Sequence, residues 1–309
     1  MKGAFAQYHP AVGLAYYIAV IFLAAVIRAP LFLLCALLAV IGVNRVVDGG
    51  QAFRRYAKAY LVMAALMAVL NPLFSHRGAT ALFELGENTV TLEAVVYGLT
   101  AAMSLLVIVW SFVSFNLVIT GDKFLYLFGR AARQSALVAM MALAFIPRLR
   151  QRLEELALAQ RTRSREDSGS WRQRGILAME LVGALTAWTL EDGAATAQSM
   201  TARGYGLQRR RSFYSRYRWQ RRDGYWLGVL AALLGTLAFC WPKASAGFAI
   251  YPRLSGLAWS QPVVWLALGC YVAVLALPIG MQIWEEGRFW LWQRRYGSKQ
   301  MLERKERNA

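Results

Sequence analysis

Residues 92–120 read LEAVVYGLTAAMSLLVIVWSFVSFNLVIT, an apolar run whose single formal charge is Glu93 at its start. A helix needs about 20 residues to cross the hydrocarbon core of a bilayer, and this run exceeds that. Working outward, residues 59–74 form a similar run. Residues 12–27 and 31–43 form two more, separated only by Arg28-Ala29-Pro30, and these are shorter than an ideal span. Snorkelling or local thinning of the bilayer has to absorb the mismatch. The first run lacks a clear cleavage site after it and is read as structure, not as a signal peptide. Past a long polar block come residues 225–241 and 262–283, joined by a segment rich in Trp, Tyr, Pro and Gly that suits a membrane interface. The expectation is an all-α integral membrane protein with about six transmembrane helices. No strand pattern and no repeat of fixed period stands out.

Composition agrees. The chain of 309 residues is 58% hydrophobic with a mean hydropathy of +0.37, yet carries a formal charge of +18. Soluble globular domains do not combine these. Residues 121–223 contain 19 Lys and Arg against 9 Asp and Glu, while the segments across the membrane hold few cations. By the positive-inside bias that block and both termini face the cytoplasm. The expected organisation is an N-terminal membrane part over residues 1–120 with four spans and a cytoplasmic region over 121–223. A transmembrane hairpin over 224–284 and a basic tail over 285–309 follow.

Within the cytoplasmic region, residues 134–163 have helical periodicity, with Leu137, Met141, Phe145, Leu149, Leu153 and Leu156 as an apolar stripe and Pro147 as an expected bend. Glu166-Asp167-Ser168-Gly169-Ser170 reads as a turn. Residues 176–203 are a second helical segment, with Leu177, Leu181, Leu185 and Trp188 on one face. Two long helices therefore each end in an arginine, Arg163 and Arg203. Gly204 and Gly206 suit a left-handed cap after the second, and a cation there complements the helix dipole. For an isolated arginine that local role would suffice.

Other chemistries find little to stand on. Cys35, Cys240 and Cys270 lie in apolar runs without CxxC spacing, and His9 and His76 have no ligand partners at metal-binding spacing. No GxxxxGK phosphate loop is present, and Glu154-Glu155 and Glu191-Asp192 read as salt-bridging pairs on helices. No catalytic residue, metal or cofactor is expected. The basic, aromatic segment 209–222 sits just before a span, where Arg meets anionic lipid and Trp and Tyr anchor at headgroups, so nucleic acid is set aside.

Four segments together carry a resemblance. They are His9-Pro10, Asn71-Pro72-Leu73-Phe74 with His76-Arg77-Gly78, the stretch from Asp122 through Lys123 to Phe128, and Ala202-Arg203-Gly204-Tyr205. In order and placement they resemble the transmembrane T component of energy-coupling factor ABC transporters over nearly the whole chain. The resemblance implies two coupling helices with Ala-Arg-Gly tips docked on two ABC ATPase subunits. It further implies a separate substrate-binding membrane subunit for vitamin or metal uptake, ATP hydrolysis outside this chain, and a bacterial cell membrane. The second tip, Ala202-Arg203-Gly204, is intact; the first reads Thr162-Arg163-Ser164, which keeps the arginine and changes both neighbours. Arginine suits such a joint because its planar fork makes several directed hydrogen bonds and its charge is permanent. Small residues including Ala64 and Ala68 give a candidate surface for the substrate subunit, with internal packing of the same helices as the plainer alternative. A self-contained permease with its own solute pathway is the competing functional reading.

Overall fold

The apolar runs are helices in the computed structural model, which describes residues 5, 8–74, 78–85, 88–129, 133–163, 171–207, 217–246, 248–251, 254–256 and 260–307. The membrane helices are α1 (Pro10–Val26), α2 (Pro30–Asp48), α3 (Gln51–Phe74), α4 (Leu92–Val118), α8 (Arg221–Ala244) and α9 (Pro262–Arg307). Among the described residues five helices are long and apolar enough to cross a membrane, α9 by its part Pro262–Arg288. The sixth, α1, has 17 residues and is the shorter apolar helix. The chain is a multi-pass helical membrane protein.

Local chemistry sets the helix starts. His9 accepts the Ala11 N–H at its Nδ1 (3.2 Å), and Pro10, which has no N–H to leave unpaired, opens α1. The Thr91 hydroxyl accepts the Ala94 N–H at the start of α4. Gln220 and Asp223 form a reciprocal capping box on α8.

By internal contacts the chain divides into two units, Met1–Gly121 with Tyr217–Ala309, and Asp122–Arg216. In the first, α4 packs against α1, α2 and α3; α2 packs on α9, α9 on α8, and α8 returns to α1. The circuit closes around buried aromatic side chains, with Phe32 5.4 Å from both Trp241 and Tyr271 between ring centroids. Three side chains tie polar groups inside to neighbouring backbones: Tyr16 donates to the Leu275 carbonyl, Ser104 to Ala24 and Asn44 Nδ2 to Trp110. Such bonds contribute about 0.6 kcal/mol each between helices in lipid, enough to set register and modest in stability.

α3 lies outside the circuit, against α4 and more lightly α2. Pro72, lacking an N–H, leaves the Ala68 carbonyl without its helical partner. That carbonyl faces Gly98 of α4, where a Cβ would stand 2.9 Å from it. Only glycine admits that approach. Its outer face, by contrast, leaves Leu61, Val62, Leu66 and Val69 exposed.

Three features depart from the sequence expectation. A short antiparallel hairpin, β1 (Ala81–Leu85) and β2 (Asn88–Thr91), precedes α4 where no strand was expected. Its strands are too brief for periodicity to show, although Thr89-Val90-Thr91 is β-branched. α3 begins at Gln51, far before its apolar run, because Arg54, Arg55 and Lys58 continue the helix beyond the hydrocarbon. α9 is 46 residues long in all and continues well past its apolar part, which ends near Arg288.

The second unit contains α5 (Gly121–Phe128), α6 (Arg133–Arg163) and α7 (Trp171–Ala202). α6 continues through Pro147. The two long helices meet near their middles, where Phe145 stacks on Trp188 at 5.7 Å, Arg152 lies over the same indole, and Arg148 pairs with Asp192 at 3.7 Å.

Candidate functional site

The end of α7 is built from its backbone. Tyr205 N–H donates to the Met200 carbonyl (3.0 Å) and Gly204 N–H to Thr201 (2.9 Å), the paired bonds of a Schellman cap. Gly204 has φ +81°, a conformation that a β-carbon would strain by about 1 kcal/mol or more. The cap closes the last turn so that Arg203 sits at the point where the helix stops. Its side chain is exposed and has no hydrogen-bond or ion-pair partner among the described residues, and Ala202 beside it is exposed too. The tip is a fixed backbone bearing an available guanidinium.

Arg163 is the last residue of α6, preceded by Thr162, whose hydroxyl folds back onto the Ala159 carbonyl (2.8 Å). Ser164 lies outside the described residues. From the meeting point at Arg148 and Asp192, Arg163 is fifteen residues on and Arg203 eleven, about 22 Å and 16 Å along the two helices. Each arginine therefore stands well beyond the place where the helices brace one another. The inward stripes are largely those of the sequence: Leu137, Phe145, Leu149 and Leu156 on α6, and Leu177, Leu181, Leu185 and Trp188 on α7, are half-buried, whereas Met141 and Leu153 stay exposed. Val138, Ile146, Met179, Val182 and Leu190 also point out of the unit.

Ala64 and Ala68 lie on the α4 side of α3. Ala64 is 4% exposed, Ala68 half-buried with its carbonyl on Gly98, and Ala65 next to them is exposed. Within this chain, then, the two alanines serve the α3–α4 contact.

A second cluster, missed as such in the sequence, joins the starts of α1 and α8. The Asp223 carboxylate, 1% exposed, accepts the Gln220 N–H at 2.9 Å and the His9 N–H at 3.3 Å, so one side chain holds two helix beginnings. Arg222 pairs with Glu285 of α9 at 2.6 Å and lies over the Tyr8 ring at 4.8 Å. Burial, then the charge of Glu285, pushes the Tyr8 phenol up to about 12, which keeps it neutral. Burial lowers His9 below its ordinary value against the opposing pull of Asp223. The His-Pro pair was legible as a motif, but its link to Asp223 spans more than two hundred residues and has no sequence signal.

Among the described residues no three His, Cys, Asp or Glu side chains come together as metal ligands. His76 and Arg77 lie outside the described residues.

These features define the class first: a multi-pass helical membrane protein with a second unit of two long arginine-ended helices. The chain belongs to the cobalt transport protein family (CbiQ), which matches residues 8–214 and so takes in α1 to α7. This agrees with the resemblance drawn from the motifs, and makes the chain a membrane component of a transport family. No curated protein matches it.

Proposed function

We propose that the chain is the transmembrane T component of an energy-coupling factor importer in a bacterial cell membrane, with both termini and the second unit cytoplasmic. On this reading two ABC ATPase subunits bind the ends of α6 and α7, and their ATP-driven movement passes through Arg163 and Arg203 to a separate substrate-binding membrane subunit. The chain itself performs no catalysis. The family description points to cobalt as the cargo. The observation that carries the reading is Arg203: an exposed guanidinium on a Schellman-capped end, with Ala202 and Gly204 small enough for another backbone to approach. The free apolar face of α3 suits the membrane subunit, and Ala64 and Ala68 support that face by seating α3 on α4.

Uptake of labelled cobalt, measured beside ATPase co-purification, tests this reading. Each charged hydrogen bond lost from a groove is expected to cost roughly 1.5–3 kcal/mol, so Arg203→Ala should abolish most uptake and weaken ATPase retention with insertion unchanged. Arg203→Lys should restore only part, because the fork and not the charge alone makes the contact. Arg163→Ala should act in the same direction. Near-normal uptake in the double alanine variant overturns the proposal.

A further inference from the structure

α4 forms the floor of a groove in the first unit, with the end of α1 on one side and the second half of α3 on the other. Its volume is about 670 Å³. Tyr97, Thr100, Ala101 and Ser104 line the floor at three-and-four spacing, and the small residues among them give it depth. Met63, Met67 and Leu70 line the α3 wall.

Polar groups gather where the groove meets the α1–α2 turn. Arg28 donates from Nη1 to the Tyr97 hydroxyl at 2.6 Å and stands 5.3 Å from the centre of that ring. A guanidinium has five N–H donors, and Arg28 has no carboxylate within salt-bridge distance among the described residues. Asn71, on the facing wall, has a buried side-chain nitrogen without a hydrogen-bond partner among the described residues. α1 is about 26 Å long against a hydrocarbon core of about 30 Å, so its end holds Arg28 near the depth where hydrocarbon gives way to headgroups.

We propose that this groove holds one anionic phospholipid, with its phosphate on Arg28, an ester carbonyl offered to Asn71 and one acyl chain along the α4 floor. Phosphate is the abundant anion at that depth, and the guanidinium fork matches it. A cation facing lipid without a counter-charge is costly, so the charge selects the headgroup while the apolar walls accept the chain. Charge speaks against an apolar protein helix as the occupant, since it would bring no anion to Arg28, which has no counter-charge among the described residues.

The test is lipid retention by the full chain, released for native mass spectrometry from nanodiscs of equal parts phosphatidylglycerol and phosphatidylcholine. One phosphatidylglycerol per chain should remain, preferred roughly ten-fold over phosphatidylcholine. Arg28→Gln should erase the preference, and Arg28→Lys should keep part of it. Ala101→Leu, which fills the floor, should lower retention of either lipid. Lys243→Gln, a cation of α8 outside the groove, should change nothing. A wild-type preference in Arg28→Gln, or no headgroup preference in the unmodified chain, overturns the proposal. So does an Ala101→Leu variant that keeps its lipid but sheds a co-purified membrane protein, for then a protein helix occupies the groove.

Discussion

Arg203 owes its position to the residue after it, and that dependence can be measured apart from its charge. Gly204→Ala keeps the guanidinium but strains a φ of +81°, at a cost of about 1–2 kcal/mol if the cap is retained. The expected result is a frayed last turn, with intermediate uptake between that of the unmodified chain and Arg203→Ala. His9 gives a second residue-scale prediction, in pH. Its Nδ1 accepts the Ala11 N–H only when unprotonated, and burial lowers its folded-state value below the ordinary value of about 6.5. With the folded value depressed, the stability it contributes is whole above about 6.5 and is lost as pH falls through the folded value. Thermal unfolding of the reconstituted protein should therefore shift downward between neutral and mildly acid pH. His9→Asn, which can cap α1 but does not titrate, should flatten that dependence; an unchanged slope would show that His9 is not its source. Asp223→Ala removes an acceptor for two backbone N–H groups and should destabilise by about 1–3 kcal/mol, read as an earlier unfolding transition. The arginine tip was legible in the sequence because a helix end is a local event, written in Arg203-Gly204. Asp223 could not be read, because its second partner is at the other end of the chain.

Helices were legible to the extent that hydropathy marks them, which is where they cross hydrocarbon and not where they stop. The apolar runs located all six membrane helices, yet α3 and α9 extend well past theirs on residues that a hydropathy pattern assigns to loops. Orientation about the helix axis was less legible still. In a soluble helix the apolar stripe names the buried face, but in lipid both faces are apolar, so nothing in the α3 sequence said that Ala64 and Ala68 meet α4 while Ala65 and Val69 face out. The close approach at Gly98 does say it. Gly98→Val would drive a side chain into the Ala68 carbonyl and should cost about 1–3 kcal/mol by overpacking, seen as reduced thermal stability. Val69→Trp, on a residue 58% exposed, should leave unfolding unchanged and, on the proposed function, release the proposed membrane subunit on purification. If the two variants behave alike, the outer face of α3 is not the partner's surface.

For the molecule as a whole, the proposed topology, read from the charge bias alone, has the segment before α4 outside the cell and residues 122–216 in the cytoplasm. In a background without Cys35, Cys240 and Cys270, an impermeant maleimide added to intact cells should label Ala79→Cys and leave Met179→Cys untouched until the cells are opened. Labelling of the second in intact cells would reverse the topology. The length of α9 has a consequence of its own. Its 46 residues make a rod of about 69 Å, and a bilayer core grips only about 30 Å of it, leaving about 39 Å as an arm beyond the hydrocarbon. An arm clamped at one end multiplies angle into distance: a tilt of 5° in the gripped half carries the far end through about 3 Å, roughly the length of a hydrogen bond. A rocking of the membrane helices too small to break their packing is thus large enough, at the end of this arm, to make or break a polar contact.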